Sequence, residues 1–131
     1  MGRGFHACPP GCTIPDGPLA FLFAQAYHPS MRHAWPTRKE IGVRTAFNLL
    51  GPMTNPAGAR RHVVGVGAAS AAPKMAEVLR LLGAERALVV HGEGMDELPL
   101  DGTGVLYDVT PAGVTKRTVV ASELGLTAAP L

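Results

Sequence analysis

The feature that most constrains this chain is a helix-forming segment enclosed by two short, almost continuous apolar runs. The runs are residues 62–67 and 86–91, and their length and composition predict buried strands. Between them, residues 71–82 have helical periodicity, with Ser70 as a candidate cap and Gly83 as the stop. The apolar positions that share one face of this helix are Met75, Val78, Leu79 and Leu82. Strands without polar alternation are typical of a covered parallel sheet, so the pattern predicts an α/β fold built on a right-handed βαβ unit.

The remaining strands and helices are predicted from weaker signals. Residues 104–109 and 113–120 indicate two later strands joined by a turn, and residues 121–131 a loop or a short helix. In the first part of the chain, residues 1–20 form an irregular leader and residues 19–24 include a short apolar run that favours a strand.

Prolines and glycines divide the segment that precedes the βαβ unit. A helix is predicted from Pro29, with a break or kink at Pro36 and a second helical piece to Ile41. A further helix over residues 45–50 is expected to stop at a loop over residues 51–58, where two prolines and two glycines cluster.

Composition and length exclude several classes of protein. The 131 residues suffice for one domain, and 47% of them are hydrophobic, too many for a disordered chain. No apolar run approaches the ~18 residues of a membrane helix. A net charge of +2 and 5% aromatic residues argue against a nucleic-acid-binding protein. Two cysteines without a signal-like start favour a reducing, cytoplasmic setting.

Charge is distributed unevenly along the chain. Basic residues dominate between His28 and His62, and acidic residues dominate between Ala84 and Asp108. One interpretation is a site for an anionic ligand that travels with a divalent cation, and the other is ordinary solvated loop charge. The adjacent carboxylates Asp96 and Glu97 follow the second strand of the βαβ unit, and in parallel sheets ligands bind beyond this end of the strands.

Other candidate motifs favour structural roles. Cys8 and Cys12, followed by His28 and His33, have a superficial zinc-finger spacing, but the ββα hydrophobic pattern is missing, which favours two reduced thiols. His62 and His91 lie in or beside apolar strands and are interpreted as hydrogen-bonded core histidines. The Gly102–Gly104 triplet lacks the following helix of a phosphate-binding turn and is interpreted as a β-turn.

Three blocks of sequence together resemble anthranilate phosphoribosyltransferase. The first block runs from Phe23 to Arg32, the second is the GVRTAFNLLGPMTNP stretch of residues 42–56, and the third is the VVHGEGMDEL stretch of residues 89–98. They occur in the family's order and spacing and cover roughly residues 21–131. A pyrimidine nucleoside phosphorylase shares the broad fold, but Arg38 and the NLLGP sequence make it a distant alternative.

The resemblance implies a reaction, a site and a cellular setting. In this family the anthranilate nitrogen is joined to C1 of phosphoribosyl pyrophosphate, and pyrophosphate leaves, in tryptophan biosynthesis. The family enzyme is a cytoplasmic, magnesium-dependent homodimer with a small helical domain and a larger α/β domain, of which residues 21–131 resemble a part. The positions that match anthranilate-binding residues are His28, Met31, Arg38, Gly51 and Pro52. Asp96 and Glu97 match the acidic pair that binds Mg²⁺, and no catalytic base is assigned.

Two family segments have no counterpart here. The diphosphate-binding Gly-Thr-Gly-Gly-Asp turn and the later Lys-His-Gly-Asn-Arg segment do not occur in the 131 residues, and most of the helical domain is missing too. Phosphates need dense backbone N–H donors, so we expect little or no transferase activity from this chain alone. The alternative is a non-catalytic fragment that binds a metal or a small aromatic acid, or one chain of a split enzyme.

Overall fold

A computed structural model describes residues 28–43, 47–55 and 58–129. The chain divides into two compact units, Met1–Gly58 and Ala59–Leu131. The leader of residues 1–20 and the strand expected within residues 19–24 lie outside the described residues. Within the described ranges, no helix has the length and apolar character needed to cross a membrane.

The first unit contains helix α1, Met31–Ile41, which runs through Pro36. The expected second piece beginning at Pro36 is therefore wrong, since the helix is continuous. Proline removes only one backbone donor, and Pro36 is exposed to solvent. The helix ends at Gly42, whose φ of 64° is left-handed and whose N–H donates to the Arg38 carbonyl at 3.2 Å.

Helix α2, Phe47–Met53, corrects the expected loop at Gly51 and Pro52. Both residues are helical, and the loop was predicted because glycine and proline usually end helices. Hydrogen bonds at the end of α2 account for the difference. The Thr54 N–H and Oγ1 both donate to the Leu50 carbonyl, at 3.1 and 3.0 Å, which continues the helical pattern past Pro52.

The second unit is a four-stranded mixed sheet in the order β1-β2-β3-β4. The strands are β1 (Arg61–Gly65), β2 (Arg86–Gly92), β3 (Gly104–Thr110) and β4 (Gly113–Val119). β1 and β2 are parallel, whereas β2–β3 and β3–β4 are antiparallel. The parallel pair and both later strands confirm the predicted α/β architecture, with strand ends within a few residues of those expected. The expectation of a buried strand over residues 62–67 is wrong, because β1 is an edge strand among the described strands: Val64 is its one buried residue and Val63 is 75% exposed.

Helix α3, Ala72–Leu81, connects β1 to β2 and packs against β2 and β3. Its Met75 and Leu79 are fully buried, as predicted, but Leu82, expected on the same face, directly follows the helix and is 62% exposed. Ser70 makes no capping bond, and the residue before the helix is Ala71. Pro73 in the first turn lacks an N–H, so that turn has one donor fewer to satisfy.

The apolar residues of the sheet form a core on both of its faces. The buried positions Ala87, Val89 and Val109 are completely inaccessible. Val90, Leu106 and Val119 form a second buried cluster, against which Leu88 and Leu98 pack. A 3₁₀ helix, Ala121–Leu124, follows β4 and agrees with the short helix considered for the tail.

Candidate functional site

The acidic loop, defined here as residues 93–101 between β2 and β3, begins with a tight reversal of the backbone. Glu93 has a φ of 31° and Gly94 a φ of 90°, both in the left-handed region. Gly92 and Met95 then pair in an isolated bridge, in which each N–H donates to the other residue's carbonyl. The chain thereby turns back toward the sheet as soon as β2 ends.

The returning loop packs on glycines from three adjacent strands, with its backbone against Gly65 and Gly92 and its side chains against Gly104. The Asp96 carbonyl contacts Gly65, the last residue of β1. A Cβ atom on Gly92 would stand 2.5 Å from both the Glu97 carbonyl oxygen and the Pro99 Cδ. A Cβ on Gly104 would meet the Leu98 Cδ2 at 2.5 Å. A larger residue at Gly65 or Gly92 would collide with the loop backbone and push it away from the sheet, whereas at Gly104 it would first displace the Leu98 side chain.

This packing fixes the main chain of Asp96 and Glu97 while leaving their side chains exposed to solvent. The next two residues anchor the loop, since Leu98 packs against the Val90–Leu106–Val119 cluster and Pro99 is buried. β1 and β2 are parallel, so their carboxyl ends share the edge where the loop sits. This agrees with the position predicted for the acidic pair.

The carboxylates of this loop are of the ligand type that Mg²⁺ takes. Mg²⁺ takes oxygen ligands, and one or two carboxylates suffice when substrate phosphates and water complete the octahedron. In the described part of the chain no group of three or more histidine, cysteine or acidic residues could hold a metal. Asp96 and Glu97 therefore fit an ion that arrives with a phosphate-bearing ligand better than a permanent structural metal.

Ion pairs account for other members of the predicted acidic half. Near the amino ends of β1 and β2, Glu85 pairs with Arg60 at 3.3 Å and with Arg61 at 3.4 Å. Asp108 pairs with Arg86 at 2.9 Å, and this hydrogen bond raises the pKa of the Arg86 guanidinium. Glu93, Asp96, Glu97 and Asp101 make no ion pair within the described ranges. Within the acidic half, residues 84–108, the carboxylates without an ion pair in the described ranges thus all belong to the acidic loop.

The predicted anthranilate residues lie in the first unit, three of them in or beside α1. Met31 begins this helix and Arg38 lies in its last turn. Seven residues correspond to almost two full turns, so both occupy one side of the helix, and both are half-buried. His28 is half-buried as well, and its carbonyl accepts a hydrogen bond from the Met31 N–H at 2.9 Å. Gly51 and Pro52 are both in α2.

The two strand histidines are half-buried, and one has a clear hydrogen-bond partner. His91 Nδ1 lies 2.7 Å from the Val66 carbonyl oxygen, which confirms its interpretation as a hydrogen-bonded core histidine. His62 is half-buried in β1. Cys8 and Cys12 lie outside the described residues, so the zinc-finger spacing is not tested.

Sequence reasoning missed the three glycines on which the loop rests. A glycine inside a strand often marks a close approach of another backbone, and that signal was present at Gly65, Gly92 and Gly104. Gly104 was predicted both as the end of a β-turn and as the start of a strand, and it is the first residue of β3.

The comparisons with known proteins first define the class of this chain. The model of the glycosyl transferase family, a/b domain, matches residues 12–131, which extends beyond the expected boundary at residue 21. The chain belongs to this glycosyl transferase family.

Its relatives within the family are anthranilate phosphoribosyltransferases, as the sequence blocks indicated. The protein of that name from Roseiflexus sp. (strain RS-1) is 52% identical over 115 residues, which cover 86% of this chain and 33% of the relative. The enzyme from Saccharomyces cerevisiae in complex with 4-fluoroanthranilate superposes with a TM-score of 0.80 at 28% identity. The same enzyme in complex with PRPP and Mg gives 0.79 at 30% identity.

The match extends over most of this chain but only part of each relative. Each structural match covers 88% of this chain and 33% of the yeast enzyme's chain. The chain thus spans about a third of the length of the proteins it matches.

Proposed function

We propose that this chain supplies the anthranilate- and magnesium-binding part of an anthranilate phosphoribosyltransferase. The observation that carries the proposal is the acidic loop at the shared carboxyl edge of β1 and β2, in a chain 52% identical to a protein of that name. The cytoplasmic setting and homodimer implied by the resemblance belong to the same proposal.

The proposed reaction forms one bond and breaks one bond at the ribose C1. The amino lone pair of anthranilate forms the C1–N bond, the C1–O bond to pyrophosphate breaks, and pyrophosphate leaves with the electron pair. The nitrogen then loses a proton to water. An arylamine is a neutral nucleophile, so the chain needs no strong general base, and none is assigned.

Arg38 is the proposed partner of the anthranilate carboxylate. A guanidinium can donate two parallel hydrogen bonds to a carboxylate, which fixes the plane of the ring as well as its position. Met31 lies on the same side of α1 and would add an apolar contact beside it. His28, Gly51 and Pro52 are the further anthranilate contacts that the resemblance implies.

Asp96 and Glu97 are the proposed magnesium ligands. When bound, the ion would supply positive charge to the departing diphosphate oxygen. The chain contributes two exposed carboxylates whose main chain is held against the sheet glycines, so only their side-chain torsions must adjust when the ion arrives.

The anthranilate site is tested by direct binding, which does not require turnover. Loss of the Arg38 guanidinium removes charge-assisted hydrogen bonds worth about 1.5–3 kcal/mol, so Arg38→Ala should weaken anthranilate binding roughly 10- to 100-fold. Arg32→Ala is the matched control, because Arg32 is an exposed arginine of the same helix. Titration followed by anthranilate fluorescence measures both. Equal affinities for wild type and Arg38→Ala would contradict the proposed role.

The magnesium site is tested with Mn²⁺, a paramagnetic substitute that takes the same oxygen ligands. The double variant Asp96→Asn/Glu97→Gln should lose Mn²⁺ binding in electron paramagnetic resonance titrations. Glu123→Gln, which removes another exposed carboxylate, should retain it. Unchanged binding in the double variant would place the ion elsewhere.

An activity assay separates the complete reaction from the alternative of a binding fragment. With Mg²⁺, anthranilate and phosphoribosyl pyrophosphate, we expect the chain alone to bind anthranilate without sustained loss of its fluorescence. Sustained turnover would overturn that expectation. Binding without turnover would support the fragment or one chain of a split enzyme.

A further inference from the structure

His91 makes a bond that links the carboxyl ends of the two parallel strands. It is the second-last residue of β2, and its Nδ1 lies 2.7 Å from the carbonyl oxygen of Val66, which directly follows β1. A carbonyl oxygen can only accept, so Nδ1 carries the hydrogen, and the neutral ring presents Nε2 as an acceptor.

Val66 is held from both sides by the end of β2. Its N–H donates to the Val90 carbonyl at 2.9 Å, and its carbonyl accepts from His91. The first bond continues the pattern of the parallel ladder, whereas the second depends on a side chain. Val66 is only 4% exposed, and within the described residues no other donor to its carbonyl is present. Removal of the His91 donor would leave this carbonyl without its bond.

The residue next to Val66 is Gly65, on which the Asp96 carbonyl rests. A shift of residues 65 and 66 away from β2 would therefore move the surface that holds the main chain of Asp96. His91 also immediately precedes Gly92, which pairs with Met95 in the turn of the acidic loop. The imidazole thus ties the end of β1 to the end of β2 beside Gly65 and Gly92, two of the three glycines that the loop contacts.

From this geometry we propose that His91 is a positioning residue for the acidic loop, which sets its metal affinity by holding Gly65 and Val66 in place. The inference rests on the proposed magnesium role of Asp96 and Glu97. His91 itself contacts no metal in this proposal and acts through Val66, Gly65 and the Asp96 backbone.

Two amide variants of similar polarity test this role. In His91→Asn the side-chain N–H lies close to the position of Nδ1 and can still donate to the Val66 carbonyl. In His91→Gln the amide lies one bond further out, near the position of Nε2, so the donor is misplaced. We expect His91→Gln to weaken Mn²⁺ binding by up to about tenfold, the lower end of the loss caused by removing a hydrogen bond to a metal ligand itself, because His91 acts on the loop indirectly. His91→Asn should stay within about threefold of wild type, which is well below that typical loss.

The measurement is the Kd for Mn²⁺ on the whole chain, with urea unfolding of each variant in parallel. Weaker binding by folded His91→Gln, rescued in His91→Asn, supports the positioning role. Equal Kd values for wild type and both variants overturn it, even where the unfolding midpoint falls, since His91 would then serve the fold alone.

The two proposals fail in different ways. If wild type binds no Mn²⁺, the magnesium role of Asp96 and Glu97 fails, and the inference about His91 fails with it. If wild type binds and only His91 proves irrelevant, the proposed function stands. Amide hydrogen exchange across residues 92–99 gives a second readout: faster exchange in His91→Gln than in His91→Asn is expected, and equal rates would overturn the inference.

Discussion

Replacement of Gly92 by alanine should displace the acidic loop without an intrinsic backbone penalty. Gly92 is a strand residue without a positive φ, so alanine can adopt its conformation. The new Cβ would nevertheless lie 2.5 Å from both the Glu97 carbonyl oxygen and the Pro99 Cδ. Ordinary contacts of this kind begin near 3.4 Å. Residues 97 and 99 must therefore move by roughly 1 Å, or the strand must bend, and such overpacking typically costs about 1–3 kcal/mol.

Urea unfolding and Mn²⁺ titration measure the two consequences of Gly92→Ala. With a urea dependence of about 1–3 kcal/mol/M for a small domain, the midpoint should fall by on the order of 1 M. Because the Glu97 main chain moves, Mn²⁺ affinity should fall as well. Val63→Ala is the control, since it places alanine at a 75% exposed strand position and should change neither quantity appreciably.

A double-mutant cycle identifies the atoms responsible for this cost. Pro99→Ala removes the ring that the new Cβ would meet, so its combination with Gly92→Ala should destabilise less than the sum of the two single changes. Strict additivity would show that the Pro99 ring contributes nothing to the cost. Wild-type stability and metal affinity in Gly92→Ala would refute the close packing of the loop altogether.

Three further predictions follow from the described contacts. Leu79→Ala should destabilise the chain by about 2–5 kcal/mol in urea unfolding, because the side chain is fully buried, whereas Leu81→Ala at a 69% exposed position of the same helix should have little effect. The hydrogen bond from Arg80 lowers the pKa of Glu77 below its ordinary 4.5, so the pair stabilises the fold above that pH and its contribution is lost as the pH falls through the lowered value. Glu77→Gln and Arg80→Gln should therefore remove the same part of the pH dependence of the free energy of unfolding below pH 7. Urea unfolding at a series of acidic pH values measures this, and different pH dependences of the two variants would contradict it. Gly65→Ala should weaken Mn²⁺ binding, because its Cβ would collide with the Asp96 carbonyl, and unchanged binding would show that the loop can move away freely.

The sequence predicted the βαβ unit well because its periodicities are local and strong. The apolar face through Met75 and Leu79 and the stop near Gly83 depend only on neighbours within the helix. Helix ends were less predictable. Gly51 and Pro52 usually end helices, yet bonds from Thr54 to the Leu50 carbonyl continue α2 past them. Whether these hydrogen bonds form depends on the backbone conformation of Thr54, which the helix preferences of Gly51 and Pro52 do not specify.

The excess of acidic residues between positions 84 and 108 was visible in the sequence. Which of these carboxylates form ion pairs and which do not was not visible. Glu85 and Asp108 belong to the same acidic stretch as Asp96 and Glu97, yet they neutralise arginines near the amino ends of β1 and β2. Only the pairing of strands decides which carboxylates meet a cation. Neither interpretation anticipated the ion pairs at the amino ends of the strands, and both remain predictions for the carboxylates of the acidic loop at the other end.

The surface on which the acidic loop rests could not be predicted from the sequence, because it depends on the pairing register of β1, β2 and β3. Gly92 and Gly104 face each other across β2 and β3, and Gly65 ends the neighbouring strand β1. These glycines are widely separated in the sequence, and each alone signals only a bulge or a close approach. Strand pairing brings them to one edge, where the missing side chains let the loop backbone lie directly on the sheet. Gly65 and Gly92 thus hold the main chain of Asp96 and Glu97 while the carboxylates stay exposed, so the magnesium ion that we propose there would keep room for water ligands.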